Sequence, residues 1–358
     1  MMSSRNILDP HLATDFGQSV VGMTMGNLSF LITSLGESPY RAAQIYDGLY
    51  RQRWTSWEQF SSLPKSLRFK LAASAALSWP KIYESLSSND ESVKHTLLLD
   101  DGSLIETVYM PYTDRITICL SSQVGCAMGC AFCATGLMGM KRNLSVAEIV
   151  GQVLVTLNAH NCARDLPINL VFMGMGEPLN NLDQIMAAFH ILTDTNGLAI
   201  SPKHINLSTS GLVNGIQRLG TYVKRPRLAV SLNATTDECR SMLMPVNRLW
   251  NMTDLMIALK QFPLGHKEYI TIEYVLIKNI TDRIEDGWRL AHFVKQFPSK
   301  VNLIPFNKCG NFDFESPSEA RINKICSILT SEGVTTSVRR SRGKDVAGAC
   351  GQMVRMYG

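Results

Sequence analysis

Six apolar segments with strand character alternate with helical segments between residues 116 and 305. The predicted strands span 116–121, 168–174, 204–209, 227–232, 269–277 and 300–305. One helical segment begins at a capping box formed by Ser145 and Glu148. Consecutive strand–helix units imply a parallel sheet, because parallel neighbours require a crossover connection. We therefore predict an α/β fold, a partial (β/α)6 TIM-like barrel with its reactive residues at the carboxyl ends of the strands.

Two regions precede the predicted barrel. Helical spacing of apolar residues from Asn27 to about Leu77 predicts a small helical accessory domain. Two strand-like runs, 93–99 and 104–110, flank Asp100-Asp101-Gly102-Ser103, and Asp-Gly is a strong signal for the turn of a β-hairpin. The expected domains are a flexible N-terminus (1–26), the helical accessory domain (27–90), the hairpin connection (91–112), the barrel core (113–345) and a C-terminal loop (346–358).

The helical region carries more basic than acidic side chains. Its basic residues between positions 38 and 70 are Arg41, Arg51, Arg53, Lys65, Arg68 and Lys70. Trp54, Trp57 and Phe60 lie among them, and positive charge mixed with aromatic rings fits contact with RNA. A small helical domain with a solvated basic face explains the same residues equally well. The net charge of the whole chain, +5, permits a polyanionic partner without requiring one.

Three cysteines follow the first predicted strand at C-x3-C-x2-C spacing: Cys126, Cys130 and Cys133. The N-terminus resembles no signal peptide and no apolar run is long enough to span a membrane, so we expect a cytoplasmic protein with reduced thiols. A zinc site usually takes four Cys or His ligands, and only this group of three is present. Three thiolates suit three irons of one 4Fe-4S cluster, whose fourth iron stays open for a small molecule.

Polar and glycine-rich segments end the later predicted strands. The run Met173-Gly174-Met175-Gly176-Glu177-Pro178 follows the second strand, where glycines would let a ligand approach the backbone closely. Ser208, the run Ser231-Leu232-Asn233 and Asn307 end three other strands. These residues would point at the mouth of the barrel, although each could equally be an ordinary turn or helix-capping residue.

Two more cysteines stand apart from the group of three. Cys119 lies near the end of the first predicted strand, and Cys350 lies between Ala349 and Gly351 near the C-terminus. A cysteine flanked by small residues suits a loop that delivers a thiol, but free cysteines are often buried as small apolar residues. The remaining cysteines are interpreted as structural: Cys162, Cys239, Cys309 and Cys326.

Taken together, these motifs resemble the radical S-adenosylmethionine (SAM) superfamily, and within it the RlmN-type dual-specificity RNA methyltransferases with their Cfr-type relatives. The matching stretches span nearly the whole chain: Ile105-Glu106-Thr107, 119–126, the cysteine loop, 174–179, 207–211, 302–305 and Ala349-Cys350-Gly351-Gln352. The resemblance implies a barrel of the radical SAM type, one 4Fe-4S cluster with an open iron, and two SAM molecules per turnover.

The resemblance also implies how an electron-poor adenine carbon is methylated. One SAM would methylate Cys350, and a second would yield a 5′-deoxyadenosyl radical that removes hydrogen from that methyl group. The resulting methylene radical would add to carbon-2 of adenine, which joins protein and RNA. Glu106 would then accept the carbon-2 proton, and Cys119 would attack Cys350 in a transient disulfide that releases the RNA.

Contacts to SAM follow from the same resemblance. They are Gly176, Glu177, Ser208, Ser231, Leu232, Asn233 and Asn307. Asn233 stands where many members have histidine, so the detail of that contact differs. Pro178 favours the RlmN type, because the Cfr type, which methylates carbon-8, typically has alanine there.

The implied RNA substrates are a peptidyl-transferase-loop adenosine of 23S rRNA and the adenosine just 3′ of the anticodon in some tRNAs. The basic residues of the helical domain and of 339–344 would contact phosphates. An external electron donor such as flavodoxin or ferredoxin is expected. Binding to DNA or to a membrane is not expected. Two other classes stay open: a non-catalytic iron–sulfur regulator that binds RNA, and a radical SAM enzyme of small-molecule metabolism. Cys119, Cys350 and the strand-end polar residues argue against the regulator. The Cys350 loop and the basic N-terminal domain argue against the small-molecule enzyme.

Overall fold

The computed structural model describes residues 19–308 and 313–353, so Cys309 and parts of both predicted termini lie outside the described residues. The strands are β1 (Lys81–Ser87), β2 (Val93–Leu98), β3 (Leu104–Pro111), β4 (Ile116–Cys119), β5 (Gln123–Cys126), β6 (Gly139–Asn143), β7 (Ile168–Phe172), β8 (Ile205–Thr209), β9 (Arg227–Ser231), β10 (Ile270–Leu276), β11 (Ser299–Pro305) and β12 (Thr336–Val338). The α-helices are α1 (Met25–Ser34), α2 (Tyr40–Tyr46), α3 (Lys65–Ser74), α4 (Ala134–Leu137), α5 (Val146–Ala159), α6 (Leu182–Thr193), α7 (Val213–Gly220), α8 (Asp237–Leu243), α9 (Met252–Gln261), α10 (Ile284–Val294) and α11 (Glu319–Ser331). None of the described helices is long and apolar enough to cross a membrane.

One ten-stranded sheet organises the described part of the chain, in the order β1-β2-β3-β4-β7-β8-β9-β10-β11-β12. The strands β4, β7, β8, β9, β10 and β11 run parallel, which confirms the predicted α/β core. The capping box at Ser145 and the hairpin between β2 and β3 are also present. The three-residue strand β12 extends the parallel part by one strand beyond the six predicted.

The edge strand β1 was not predicted, because residues 81–87 were assigned to the helical domain. It pairs antiparallel with β2, and six of its seven residues are exposed. A strand with both faces in water has no apolar alternation, so the pattern that identifies strands is missing there.

The helical region folds around its own aromatic residues. Trp57 and Phe60 are buried, and the rings of both Trp54 and Trp57 pack 5.0 Å from the ring of Phe60. Two of the three aromatics predicted to meet RNA therefore form the core of this region, as the alternative interpretation expected. Val20 and Val21, within the predicted flexible N-terminus, are buried as well.

Several polar side chains of the helical region attach it to the barrel. Tyr46 Oη donates a 2.9 Å hydrogen bond to Asp194, and burial raises the pKa of this phenol, with Asp194 adding to the rise. The guanidinium groups of Arg51 and Arg53 donate to the carbonyls of Thr195 and Cys162. These two arginines, counted among the expected RNA contacts, thus also bond the region to the barrel.

The cysteine loop lies within a separate two-stranded hairpin. The predicted first strand ends at Cys119, and the chain re-enters strand geometry as β5, which pairs with β6. Gly125 has φ +79°, and a Cβ there would collide with the carbonyl oxygen of Gly139. This glycine lets β6 approach the loop, and the short helix α4 follows Cys133 directly.

Candidate active site

A cavity of about 160 Å³ opens at the carboxyl ends of the parallel strands. Ten predicted site residues line it: Cys126, Cys130, Cys133, Gly176, Glu177, Ser208, Ser231, Asn233, Asn307 and Cys350. Leu232, Cys119 and Glu106 are buried outside its lining. The sequence predicted that these residues lie at the carboxyl ends of the strands. That placement brings residues from early and late parts of the chain to one site.

The three cysteines of the loop face this cavity together. Burial raises the pKa of Cys126 to about 12 and also raises those of Cys130 and Cys133, and the proximity of the thiols to one another adds to the rise at Cys126 and Cys130. Among residues 19–308 and 313–353, no three His, Cys, Asp or Glu side chains form a site for a single metal ion. A 4Fe-4S cluster makes a different demand, because each thiolate binds a different iron. Three clustered thiols, one buried and two half-buried, suit such a cationic group, which would stabilise the thiolates.

The glycine-rich run after β7 packs against the segment between β4 and β5. A Cβ on Gly174 would lie 2.7 Å from the carbonyl oxygen of Leu120. Gly176 has φ +99°, and a Cβ there would lie 2.6 Å from Cβ of Gln123. Both glycines line the cavity, where the sequence predicted close approach to a ligand, and each also makes a close contact with residues 120–123 of the protein.

Glu177 is held rigidly at the cavity wall. Its carboxylate accepts hydrogen bonds from the amides of Leu179 and Ser210, at 3.1 and 2.7 Å. Burial raises the pKa of this carboxyl group, and the hydrogen bond from the amide of Ser210 opposes the rise. The carboxylate thus connects the end of β7 to the end of β8.

Unused hydrogen-bonding atoms mark the part of the cavity that fits a polar ligand. Ser210 Oγ and Asn307 Oδ1 are buried and have no hydrogen-bond partner among the described residues. Asn233 differs, because its Oδ1 accepts from the amide of Val275 at 2.9 Å and its Nδ2 donates to Met244 Sδ. Buried polar atoms are normally satisfied, so Ser210 and Asn307 suit the amino and hydroxyl groups of a bound molecule.

The buried side chain of Arg240 holds the carboxyl ends of β8 and β9 together. No sequence pattern indicated this role. Arg240 is fully buried and donates to the carbonyls of Leu232 and Ser210 and to Asn247 Oδ1, at 3.1, 2.6 and 3.0 Å. Burial lowers its pKa to about 10, and the nearby Cys130 opposes that change. The guanidinium therefore replaces water as the partner of carbonyls that end β8 and β9.

The C-terminal loop carries Cys350 to the cysteine loop. The amide of Ala134 donates to the carbonyl of Gly351 at 2.8 Å, and Thr135 Oγ1 donates to the carbonyl of Met353 at 2.6 Å. Asn307 Nδ2 lies 3.5 Å from the carbonyl oxygen of Cys350. The first two bonds join the C-terminal loop to the segment that follows Cys133, and the third joins it to the residue that follows β11.

Cys119, the last residue of β4, is buried and does not line the cavity. Burial raises the pKa of the Cys119 thiol to about 12, and the proximity of Cys350 adds to the rise. Both are free thiols in this structure. The effect of Cys350 on the Cys119 thiol indicates that the C-terminal loop passes near the end of β4.

Arg339 and Glu273 are further cavity residues that sequence reasoning missed. Arg339 Nη1 lies 3.8 Å from Glu273 Oε2 and donates to Met173 Sδ at 3.2 Å. Cys350 raises the pKa of this guanidinium against the effect of burial, and Glu273 and Cys119 add to the rise. Arg339 was expected to contact RNA phosphates, but it faces the cavity.

The other arginines of 339–344 are also engaged within the protein. Arg340 makes two bonds to the carboxylate of Glu319, and Arg342 donates to the carbonyls of Pro111 and Asp90. These partners hold the start of the C-terminal loop on the hairpin and on α11.

Glu106 forms a buried ion pair with Lys94. Glu106 Oε1 lies 3.1 Å from Lys94 Nζ, and Lys94 Nζ also lies 3.5 Å from the carbonyl oxygen of Ala347. A Cβ on Gly348 would lie 3.7 Å from Cβ of Lys94. The pair therefore lies beneath the loop that carries Cys350, although Glu106 is not part of the cavity lining.

Comparisons with known proteins cover almost all of the chain. Residues 120–293 match the radical SAM superfamily, and residues 19–77 match the ribosomal RNA large subunit methyltransferase N-terminal domain. The dual-specificity RNA methyltransferase RlmN 2 of Myxococcus xanthus is 46% identical over 93% of this chain and 90% of its own length. The RlmN protein of Geotalea uraniireducens is 43% identical over 93% of this chain and 96% of its own length.

A solved structure gives the same result for the fold. The crystal structure of a radical SAM methyltransferase from Sphaerobacter thermophilus matches with a TM-score of 0.90 and 38% sequence identity, over 94% of this chain and 99% of that one. The chain therefore belongs to the RlmN family of dual-specificity RNA methyltransferases, within the radical SAM superfamily.

Proposed function

We propose that this protein methylates carbon-2 of adenine in 23S rRNA, at the peptidyl-transferase-loop adenosine, and in tRNA, at the adenosine just 3′ of the anticodon. The observation that carries the proposal is that Cys126, Cys130, Cys133 and Cys350 line one cavity. Cys119 is buried, and the proximity of Cys350 adds to the raised pKa of its thiol. A radical site that used no protein thiol as a methyl carrier would need neither Cys350 nor Cys119.

Membership of the radical SAM superfamily implies a 4Fe-4S cluster and SAM, which together supply a 5′-deoxyadenosyl radical when they are bound. Cys126, Cys130 and Cys133 would hold the cluster. The SAM contacts are proposed to be Gly176, Glu177, Ser208, Ser231, Asn233 and Asn307, together with the backbone at Leu232. The unsatisfied oxygen of Asn307 supports this assignment.

Cys350 is the proposed methyl carrier, and one of two SAM molecules per turnover would methylate it. Once the methylene carbon is joined to adenine, Glu106 would take the carbon-2 proton, and the unpaired electron would pass to the bound cluster. The Cys119 thiol would then attack the sulfur of Cys350. A sulfur–sulfur bond would form as the bond from sulfur to the methylene carbon breaks, and that carbon would take a proton to become the methyl group of the released RNA. The target base must leave its stack to reach the cavity, which favours loop RNA as substrate.

Nucleoside mass spectrometry tests the proposal. Reconstituted protein is incubated anaerobically with SAM, reductant and an unmodified 23S rRNA fragment or tRNA. We expect 2-methyladenosine, whereas 8-methyladenosine would place the protein with the Cfr type, against the modest indication from Pro178. The absence of both products from protein with an intact cluster would contradict the proposal.

Three variants separate the roles of the cysteines. Cys126→Ala should lose the cluster absorbance and SAM cleavage. Cys350→Ala should keep the cluster and transfer no methyl group. Cys119→Ala should accumulate protein covalently joined to RNA. Cys326→Ala, at a half-buried cysteine of α11, is the control and should turn over normally. Normal turnover of Cys119→Ala would contradict its proposed role in release.

A further inference from the structure

Three large apolar side chains are exposed directly after the cysteine loop. Leu137, Met138 and Met140 expose 70%, 39% and 40% of their surfaces. We call these three residues the cluster-loop patch. Contiguous exposed apolar side chains on a soluble domain commonly mark a surface that another molecule covers. Methionine in particular is frequent on surfaces that adapt to protein partners.

The patch is attached to two of the proposed iron ligands through the backbone. Gly139, which lies between the two methionines, is the direct partner of Cys126 in the β5–β6 ladder, and Met140 is the partner of Gly125. The amide of Gly136, next to Leu137, donates to the carbonyl of Cys133 at 3.0 Å. The same cysteines face the cavity, so the patch lies on the surface of the segment that would hold the cluster.

We propose that the cluster-loop patch is the docking surface of an acidic one-electron carrier protein. The inference rests on the proposed function, in which one electron passes from the carrier to the cluster, so that the carrier is oxidised and the cluster reduced, each by one electron. Electron transfer through protein slows steeply with distance. Docking beside Cys126 keeps the path short and leaves the cavity free for SAM and RNA.

The chemistry of the patch favours a protein over RNA. Its aliphatic and thioether side chains offer no aromatic ring on which a base could stack. An apolar centre with a charged rim is instead typical of a protein interface. Exposed Lys141 follows the patch directly, and the formal net charge of the chain is +5, so an acidic partner is the complementary one.

Two substitutions test the apolar and the charged part separately. They are Leu137→Glu and Lys141→Glu. Their matched controls are Val223→Glu and Lys260→Glu, at exposed positions close to the amino ends of β9 and β10, the end of the sheet opposite the site. The probe is a bacterial flavodoxin with its NADPH-dependent reductase, and dithionite is the small-molecule reductant that needs no docking surface.

The first readout is the Kd of flavodoxin for the reconstituted protein, and the second is methyladenosine formation with each reductant. We expect each patch variant to raise the Kd on the order of tenfold, which corresponds to about 1.4 kcal/mol, because replacing an interface residue that contributes to binding weakens it by such an amount. Flavodoxin-driven turnover should fall while dithionite-driven turnover stays unchanged. Added salt should weaken binding of the unaltered protein. The control variants should match the unaltered protein.

The outcomes of this experiment are separable. An unchanged flavodoxin Kd in both patch variants would overturn the docking proposal. A raised KM for RNA with dithionite would assign the patch to RNA and would also overturn it. Failure of the unaltered protein to form methyladenosine with dithionite would contradict the proposed function, and the Kd comparison would still decide the docking question.

Discussion

Replacing Lys94 with methionine removes a buried cation from beneath the C-terminal loop. Lys94 Nζ lies 3.1 Å from Glu106 Oε1, and the two side chains are only 6% and 3% exposed. At an effective dielectric constant of about 20, the Coulomb attraction across that distance is about 5 kcal/mol. Removing one member of a buried pair costs about 3–5 kcal/mol, because the other charge stays buried without it. We expect Lys94→Met to lower the free energy of unfolding by about 4 kcal/mol.

Thermal unfolding followed by circular dichroism measures this change. For a chain of this length, a loss of about 4 kcal/mol corresponds to a fall in Tm of about 5 °C. Glu106→Gln should cost a similar amount. The double variant should cost about 3 kcal/mol less than the sum of the two single variants, because it leaves no buried charge at this pair.

A surface pair provides the control. Lys295 Nζ lies 2.7 Å from Glu332, but these side chains are 49% and 35% exposed, so Lys295→Met should cost less than about 1 kcal/mol. Strict additivity of the Lys94 and Glu106 variants, or an equal cost at Lys295, would refute the reasoning that burial makes the pair strongly coupled.

Three further predictions follow from local geometry. Gly176→Ala should lower the free energy of unfolding by about 2–4 kcal/mol, because of both its positive φ and its contact with Gln123. Gly36→Ala is the control: Gly36 has φ +76° and open space around it, so the loss should be only about 1 kcal/mol. Equal losses in thermal unfolding would contradict this prediction. Burial lowers the pKa of His95 to about 4, and the nearby His160 adds to this effect. As the pH falls, the unfolded chain therefore takes up a proton at His95 before the folded protein does, so the free energy of unfolding falls between about pH 6.5 and pH 4. The free energy of unfolding should fall by about 2 kcal/mol between pH 7 and pH 5, and the fall should be smaller in His95→Gln. Denaturant unfolding of both proteins at the two pH values measures this difference. Arg240→Met should lower the free energy of unfolding by at least about 3 kcal/mol, because it leaves two carbonyls and Asn247 without their donor. It should also weaken SAM binding measured by calorimetry. Unchanged affinity for SAM would exclude a role of Arg240 in shaping the site.

Interactions that are local in sequence were predictable. The six parallel strands follow from apolar runs, the β2–β3 turn from Asp-Gly, and the start of α5 from Ser145 and Glu148. Strand β1 and the β5–β6 hairpin were missed for opposite reasons. The first is an exposed edge without a pattern, and in the second the pairing of Gly125 with Met140 depends on a glycine contact that no periodicity records.

The aromatic and basic residues of the helical region illustrate where composition misleads. Tryptophan and phenylalanine suit both a stacking surface and a small core, and only packing decides between them. Phe60 is fully buried, so it serves the core. Arginine is equally ambiguous. Arg53 and Arg339 belong to stretches that looked like RNA-binding surface, yet one bonds the carbonyl of Cys162 and the other faces the cavity.

The spacing of Cys126, Cys130 and Cys133 predicts a cluster site, because the three proposed ligands lie on one short loop and their proximity is a property of the chain itself. The approach of Cys350 to Cys119, the position of Lys94 beneath Gly348, and the hold of Arg240 on Ser210 and Leu232 depend on tertiary structure. These contacts join segments that are far apart in sequence or on different strands. Loop closure between them is decided by the packing of the whole sheet, which no local pattern encodes.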